Sequence, residues 1–254
     1  MKKRFVTLLC GMLSLGIVFA ANETDKKGRK QGEWTKTYPN GKVMYQGTFK
    51  DDKPVGEFRR YYESGALKIV QIYESAERSQ VTIYDTDGKT ITAKGTYQGK
   101  EKDAEWTYYV DGKVSLIEVY NNGKKNGVSK IYTKNGELIE EIPYVNDQID
   151  GMRKCYLQDG TRYSEVSFKK GKEHGSYKLY EGHDFPVMEG VYKNGKRDGD
   201  WIMKDDNGKQ TDVLKYKEGV LLNDKELKKE YSESFDKNEK NKGRFVEPDQ
   251  LIGQ

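Results

Sequence analysis

Glycines return every 23 or 24 residues along this chain, and no other property narrows its folding as sharply. Gly41, Gly65, Gly88, Gly112, Gly136 and Gly160 form one series; the next place falls to Asp184 beside Gly182, and Gly208 resumes it. A second series with the same period is Gly32, Gly56, Gly127, Gly151, Gly175 and Gly199, with Ser79 and Asp103 at its two vacant positions. Aromatics keep step at Phe49, Tyr73, Tyr97, Tyr120, Tyr144, Phe168, Tyr192 and Tyr216. A fourth column reads Tyr61, Tyr84, Tyr108, Tyr132, Tyr156 and Tyr180. Columns in phase over eight units mark a repeat architecture, in which each unit buries its apolar side only against its neighbours.

Within one unit the residues read as a hairpin. Val128 to Tyr132 is a short β-prone run, and Leu138 to Tyr144 is its return, with Leu138, Ile142 and Tyr144 on one face by the two-residue period. Asn135-Gly136 between them predicts a type I′ turn, which needs positive φ at both central residues. Asp87-Gly88, Asp111-Gly112, Asp159-Gly160 and Asn207-Gly208 repeat that chemistry. Linkers such as Asn122-Gly123-Lys-Lys-Asn-Gly127 suit a second tight turn. The expectation is an all-β chain of about sixteen short antiparallel strands, spanning residues 27–223 as an elongated hairpin repeat in a single twisted sheet.

Composition agrees with a thin sheet. Charged and hydrophobic residues each make up 34% of the chain, and the mean hydropathy is −0.96. That is too polar for one thick aliphatic core. The 19 Tyr, 8 Phe and 3 Trp argue against disorder, because aromatics bring large buried area per residue.

The first twenty residues differ in kind. Lys2-Lys3-Arg4 precedes an apolar stretch from Phe5 to Phe19, and Val18-Phe19-Ala20 places small residues where a leader is cut. Residues 1–20 therefore read as a secretory signal peptide, cleaved near Ala20, with 21–26 as linker. The expected location is outside the cytoplasm, in the periplasm or beyond it, associated with the cell envelope. The competing reading is an uncleaved N-terminal anchor. Cys10 lies inside the apolar stretch, too early for a lipoprotein cleavage site. The leader takes three of the 45 Lys and Arg, so the remainder balances the 41 Asp and Glu to within one charge. A nucleic-acid partner loses its main support, and the lack of a basic patch speaks against specific membrane-lipid binding. Cys155 is the one cysteine left after the leader, so no intramolecular disulfide is expected.

Segments such as Tyr192-Lys-Asn-Gly-Lys-Arg-Asp-Gly-Asp-Trp201 and Gly32-Glu-Trp-Thr-Lys-Thr-Tyr-Pro-Asn-Gly41 resemble MORN repeats. The resemblance is closest to the bacterial variant, which occurs among proteins proposed to neutralise toxins. It covers roughly residues 27–222 and implies an elongated, twisted antiparallel sheet of stacked hairpins. The third and fourth units depart from it at Ser79 and Asp103.

Beyond Asn223 the repeat stops. Residues 224–254 are densely charged, with Leu227, Tyr231 and Phe235 four apart, a narrow helical stripe. They read either as a helix capping the open edge of the last hairpin or as a disordered tail.

No convergent acid, base or nucleophile stands out, so the chain is not read as an enzyme, and neither cofactor nor metal is expected. His174 takes a linker position held elsewhere by Asn126, Asp150 and Asp198, and His183 lies in a turn. Cys155 shares a column with Ile131, Leu179 and Met203 and reads as a small core residue. Trp34, Trp106 and Trp201 read as stacking between hairpins, with an exposed ligand platform as the alternative. Tyr61, Tyr84, Tyr108, Tyr132, Tyr156 and Tyr180 have the opposite strand parity, so they are expected to line the other face as a partner-binding stripe. Three functions follow as expectations: an exported scaffold or adaptor for protein partners, an immunity or antitoxin protein, and a glycan- or cell-wall-binding module.

Overall fold

The structure, a computed structural model, describes residues 22–223. The expected signal peptide at 1–20 and the tail or capping helix at 224–254 lie outside the described residues. Among the described residues every regular element is a strand, and all pairing is antiparallel, in one open sheet.

Eight hairpins follow one another. Unit 1 pairs Lys30–Thr37 with Val43–Lys50, unit 2 Lys53–Tyr61 with Leu67–Tyr73, and unit 3 Arg78–Tyr84 with Ile91–Gln98. Unit 4 pairs Glu101–Val110 with Lys113–Asn121, unit 5 Gly127–Tyr132 with Leu138–Val145, and unit 6 Gly151–Tyr156 with Arg162–Lys169. Unit 7 pairs Lys172–Leu179 with Met188–Lys193, and unit 8 Lys196–Lys204 with Gln210–Lys217. Four two-residue pieces complete the sheet. Lys124–Lys125 and Gln148–Ile149 are the starts of units 5 and 6, while Glu23–Thr24 and Val220–Leu221 close its two edges. Edges this short offer little template for a further strand.

The turns are distributed differently from the sequence expectation. At the tip of unit 5, Gly136 N–H donates to Thr133 O and Thr133 N–H donates to Glu137 O, and Gly136 alone has positive φ (99°). That is a type I turn closed by a left-handed glycine, the three-residue hairpin loop. Asn135, Asp87, Asp159 and Asn207 all stay at negative φ. Pairs of positive φ occur instead at the linkers, as in Asn122-Gly123, Asn146-Asp147 and Asn194-Gly195. Among the five tips expected to be type I′, only Asp111-Gly112 of unit 4 has that pairing.

This one different tip displaces a whole column. A two-residue loop leaves unit 4 with a first strand one residue longer, so its bulge falls between Tyr108 and Tyr109 instead of after the preceding residue. The residue paired with the aromatic column is then Ala104, opposite Tyr120 with φ 56°, and not Asp103. The equivalent glycines, such as Gly56 and Gly199, also have positive φ, because the strand kinks there against the preceding return strand. Ser79 needs no such conformation. Its strand pairs with Leu67–Tyr73 in unbroken register, so a residue with a Cβ fits.

The register lays side chains out in rows that cross every unit. One face, here the front, carries two cores. Val81, Ala93, Trp106, Tyr108, Leu116 and Tyr120 form the first; Val166, Tyr177, Leu179, Tyr192, Trp201 and Leu214 form the second. The largest rings sit on glycines of the adjacent strand: Phe58 over Gly47, Trp106 over Gly95 and Trp201 over Gly190. The ring covers backbone that a strand glycine leaves bare. Trp201 also stacks on Tyr177 at 5.1 Å and meets Tyr192 edge-on at 5.1 Å. Each such aromatic pair adds about 0.5–1.5 kcal/mol beyond its buried area.

Candidate functional site

Between the two cores one position of the strand alternation inverts. In units 5 and 6 the positions that hold Trp34, Phe58, Val81, Trp106, Tyr177 and Trp201 elsewhere hold Ser129 and Arg153. The middle of the front face is accordingly ionic. Buried Glu118 accepts from Tyr120 Oη at 2.6 Å and pairs with Lys125 Nζ at 2.6 Å, and Glu140 pairs with Arg153. Cys155 Sγ lies 3.9 Å from Glu140 Oε1, on the front row with Ile131 and Leu179 as expected.

The back face shows the converse. The residue just after the kink is Glu33, Glu57, Gln80, Glu105, Ser176 or Asp200 in six units, but Val128 and Met152 in units 5 and 6. Val128 is 42% exposed and Met152 37% exposed, and Pro143 pairs directly with Val128. Beside this apolar patch runs a continuous row, one residue from each strand. Its C-terminal part reads Lys130, Glu141, Lys154, Glu165, Lys178 and Glu189. Opposite charges on adjacent strands favour this register. Tyr156 Oη donates to Glu141 at 2.9 Å, Tyr180 Oη donates to Glu165 at 3.2 Å, and Lys204 Nζ donates to Glu189 at 2.8 Å. Burial, reinforced by Glu141, pushes the Tyr156 hydroxyl up to about 12; burial and Glu165 raise Tyr180 as well.

The repeat geometry now has an external counterpart. A family model described as MORN repeat variant matches residues 30–51, 54–74 and 125–146. These are units 1, 2 and 5, and the same hairpin continues through the other five. Units 1, 2 and 5 are MORN repeats of the variant type. Such repeats are generally non-catalytic binding modules. No curated protein matches the chain.

The MORN-variant register decides where the expected tyrosine stripe falls. Tyr61, Tyr84, Tyr132 and Tyr156 are half-buried and share the back-face position. Tyr108 does not belong with them. It is 2% exposed on the front face, against Trp106, and accepts a hydrogen bond from Lys102 Nζ at 2.7 Å. Tyr109 takes its place in the column, over Lys94 and Thr107 of the back face. Tyr180 is 3% exposed, held under the Arg162 guanidinium at 4.4 Å, so its ring offers almost no free surface. Trp106 and Trp201 are each 1% exposed, which removes them as an exposed platform; Trp34 is half-buried.

Sequence reading missed the cation that stands two residues before the kink in units 1, 4, 5 and 8. Lys30 lies 4.7 Å from the centre of the Trp34 ring, Lys102 4.9 Å from Trp106, Lys125 5.3 Å from Tyr144 and Arg197 4.8 Å from Trp201. The other four units hold Pro54, Glu77, Ile149 and Glu173 at that place, so no 24-residue recurrence of Lys or Arg announces the contact in the sequence. His183 lies in the tip turn of unit 7, whereas His174 falls within the strand Lys172–Leu179 and not in the linker turn expected of it. His174 Nδ1 meets Asn194 Oδ1 at 3.3 Å, and His183 packs on Phe185 at 5.4 Å. Among the described residues no group of three or more His, Cys, Asp or Glu could hold a metal ion, and no helix is long and apolar enough to cross a membrane.

Proposed function

We propose that this MORN-variant chain is an exported, non-catalytic scaffold that grips a protein partner on the back face of units 5 and 6. The observation that carries the reading is the exchange of apolar and polar side chains at Val128-Ser129 and Met152-Arg153. It spends two apolar side chains, Val128 and Met152, on the wetted face, while the ion pairs Glu118–Lys125 and Glu140–Arg153 take the front. Exposed apolar side chains rimmed by polar residues are the usual composition of a protein contact. Tyr132 and Tyr156 flank the patch, and Lys130, Glu141 and Lys154 supply charged hydrogen-bonding groups around it.

Export rests on the Lys2-Lys3-Arg4 start and the apolar stretch to Phe19. Cell fractionation with N-terminal sequencing tests it: a mature start at Ala21 in the envelope fraction is expected, and an intact cytoplasmic chain would end that part of the reading. For the surface, Met152→Glu and Tyr132→Ala are compared with the unaltered protein for retention of one defined partner from an envelope extract. Loss of that partner with unchanged β circular dichroism is expected. Retention by insoluble peptidoglycan or polysaccharide, displaced by free sugar and indifferent to both substitutions, would replace the protein partner with a glycan.

A further inference from the structure

We propose that the protein gripped by the back face is a second copy of this chain, docked back face to back face about a two-fold axis that runs along the strands of unit 6, between Lys154 and Glu165. The proposal rests on the reading of units 5 and 6 as a protein-binding face, and it names the occupant.

The charged row carries the argument. Lysine and glutamate alternate strictly along it from Lys130 to Glu189, three of each. Ile117 pairs with Lys130 at one end of the row, and Ile202 pairs with Glu189 at the other. Reversed end for end, the row keeps its apolar ends and exchanges every charge for its opposite. A copy turned about the axis in unit 6 therefore sets Lys154 against Glu165 of the second copy, Glu141 against Lys178 and Lys130 against Glu189. Ile117 then meets Ile202 of the second copy at both ends. A two-fold along the row itself would lay each charge on its own kind, an arrangement that costs association.

The neighbouring row obeys the same axis. It is made of the pairs Val128 with Pro143, Met152 with Ser167 and Ser176 with Val191. After the turn Val128 meets Val191 of the second copy, while the bulkier Pro143 and Met152 meet the small Ser176 and Ser167. Val191 is 48% exposed, so like Val128 and Met152 it still has apolar area to bury. The serines can be covered without stranding a hydroxyl. Ser167 Oγ and Ser176 Oγ lie 3.0 Å apart, and Ser167 Oγ also donates to Met152 Sδ at 3.8 Å.

Shape and size permit the contact. Rotation about an axis along the strands preserves the sense of twist, so the two sheets stay aligned across the interface as in a β-sandwich. Eight strands at ~4.8 Å by about six residues at ~3.4 Å cover roughly 780 Å² on each copy, close to the ~800 Å² per partner of a standard interface. The apolar contacts supply most of the affinity. Exposed ion pairs add little, but matched charges fix the register and reject others. A face that complements itself in this way closes as an isologous dimer.

Charge exchange between chains tests the pairing, read by sedimentation of the full chain at tens of micromolar. The unaltered protein is expected to sediment as a dimer. Lys154→Glu and Glu165→Lys each set like charges across the axis, so each variant alone is expected to be a monomer with β circular dichroism unchanged. Mixed in equal amounts, the two variants are expected to recover the dimer, because altered then faces altered and unaltered faces unaltered. A monomeric unaltered protein, a dimer that persists in either variant, or a mixture that stays monomeric would overturn the proposal. If the variants lose their fold, Val128→Cys and Val191→Cys chains decide it, both in a Cys10→Ser, Cys155→Ser background. Mild oxidation is expected to link them only when the two are mixed; linkage within either alone, or none in the mixture, would overturn the proposal. A monomeric chain that retains a different envelope protein, and loses it with Met152→Glu, would remove the second copy and leave the partner-binding reading standing. A monomer that retains nothing would end both.

Discussion

The indole of Trp106 lies against the backbone of Gly95 in the neighbouring strand, so closely that a Cβ built on Gly95 would stand 2.2 Å from the ring. Gly190 stands in the same relation to Trp201, at 2.3 Å. Neither glycine has positive φ, so what they supply is room, not backbone freedom. Gly95→Ala and Gly190→Ala are each expected to lose about 1–3 kcal/mol in urea unfolding through overpacking. Gly99→Ala separates the two uses of glycine. No atom lies within 4 Å of its Cβ position and its φ is 63°, so its cost is of backbone origin, about 1 kcal/mol.

Ala104 occupies a kink that glycine fills in six other units, with φ 56°. A side chain with a Cβ is strained there by roughly 1–2 kcal/mol, partly offset because glycine loses more entropy on folding. Ala104→Gly is expected to stabilise the protein by about 0.5–1 kcal/mol, read as a higher urea midpoint. Ser79→Gly, at the kink-free equivalent, is expected to destabilise.

The tip of unit 5 distinguishes the two kinds of hairpin loop. In the three-residue loop only Gly136 needs positive φ, so Gly136→Ala is expected to cost about 1 kcal/mol and Asn135→Ala only a few tenths. A type I′ loop would make both substitutions costly. Thermal unfolding of the two variants is sufficient to tell them apart.

Alkali should unfold the protein through its tyrosines. Burial, then Glu118, raises Tyr120 well above the ordinary tyrosine value, and burial, then Glu141, pushes Tyr156 up to about 12. Above pH ~10 the unfolded chain gives up protons that the native chain keeps. Stability is thus fully present below that pH and is lost as pH rises from 10 towards 12, by ~1.4 kcal/mol per pH unit for each withheld proton. Urea midpoints at pH 8 to 11.5 are expected to fall on this course, and Tyr120→Phe and Tyr156→Phe to make the fall shallower. A profile the same in all three proteins would show that these hydroxyls do not differ between the folded and unfolded states.

Much of this architecture was readable before any coordinates. Period, turn residues and alternation placed the eight hairpins, the in-phase aromatic column, and the burial of Trp106 and Trp201. Tyr108 was misplaced for a specific reason: Gly112 stays in step while the loop before it loses a residue, so counting by 24 lands one position short of Tyr109. The tip glycines carry no trace of the slip. The roles of Gly47, Gly95 and Gly190 were likewise hidden, since a glycine that makes room is spelled the same as a glycine that makes a turn.

By itself, then, the chemistry of the residues determined the repeat, because glycine at positive φ and alternating side chains act locally, within one hairpin. Which side chains share a row was decided only by the tertiary structure. Rows run across strands, and each bulge or shortened loop shifts the neighbours up to the next compensating bulge by one residue and so moves them to the other face. That is why the tyrosine stripe, the cation–ring contacts and the inverted patch at Val128 and Met152 emerge only when the hairpins are laid side by side.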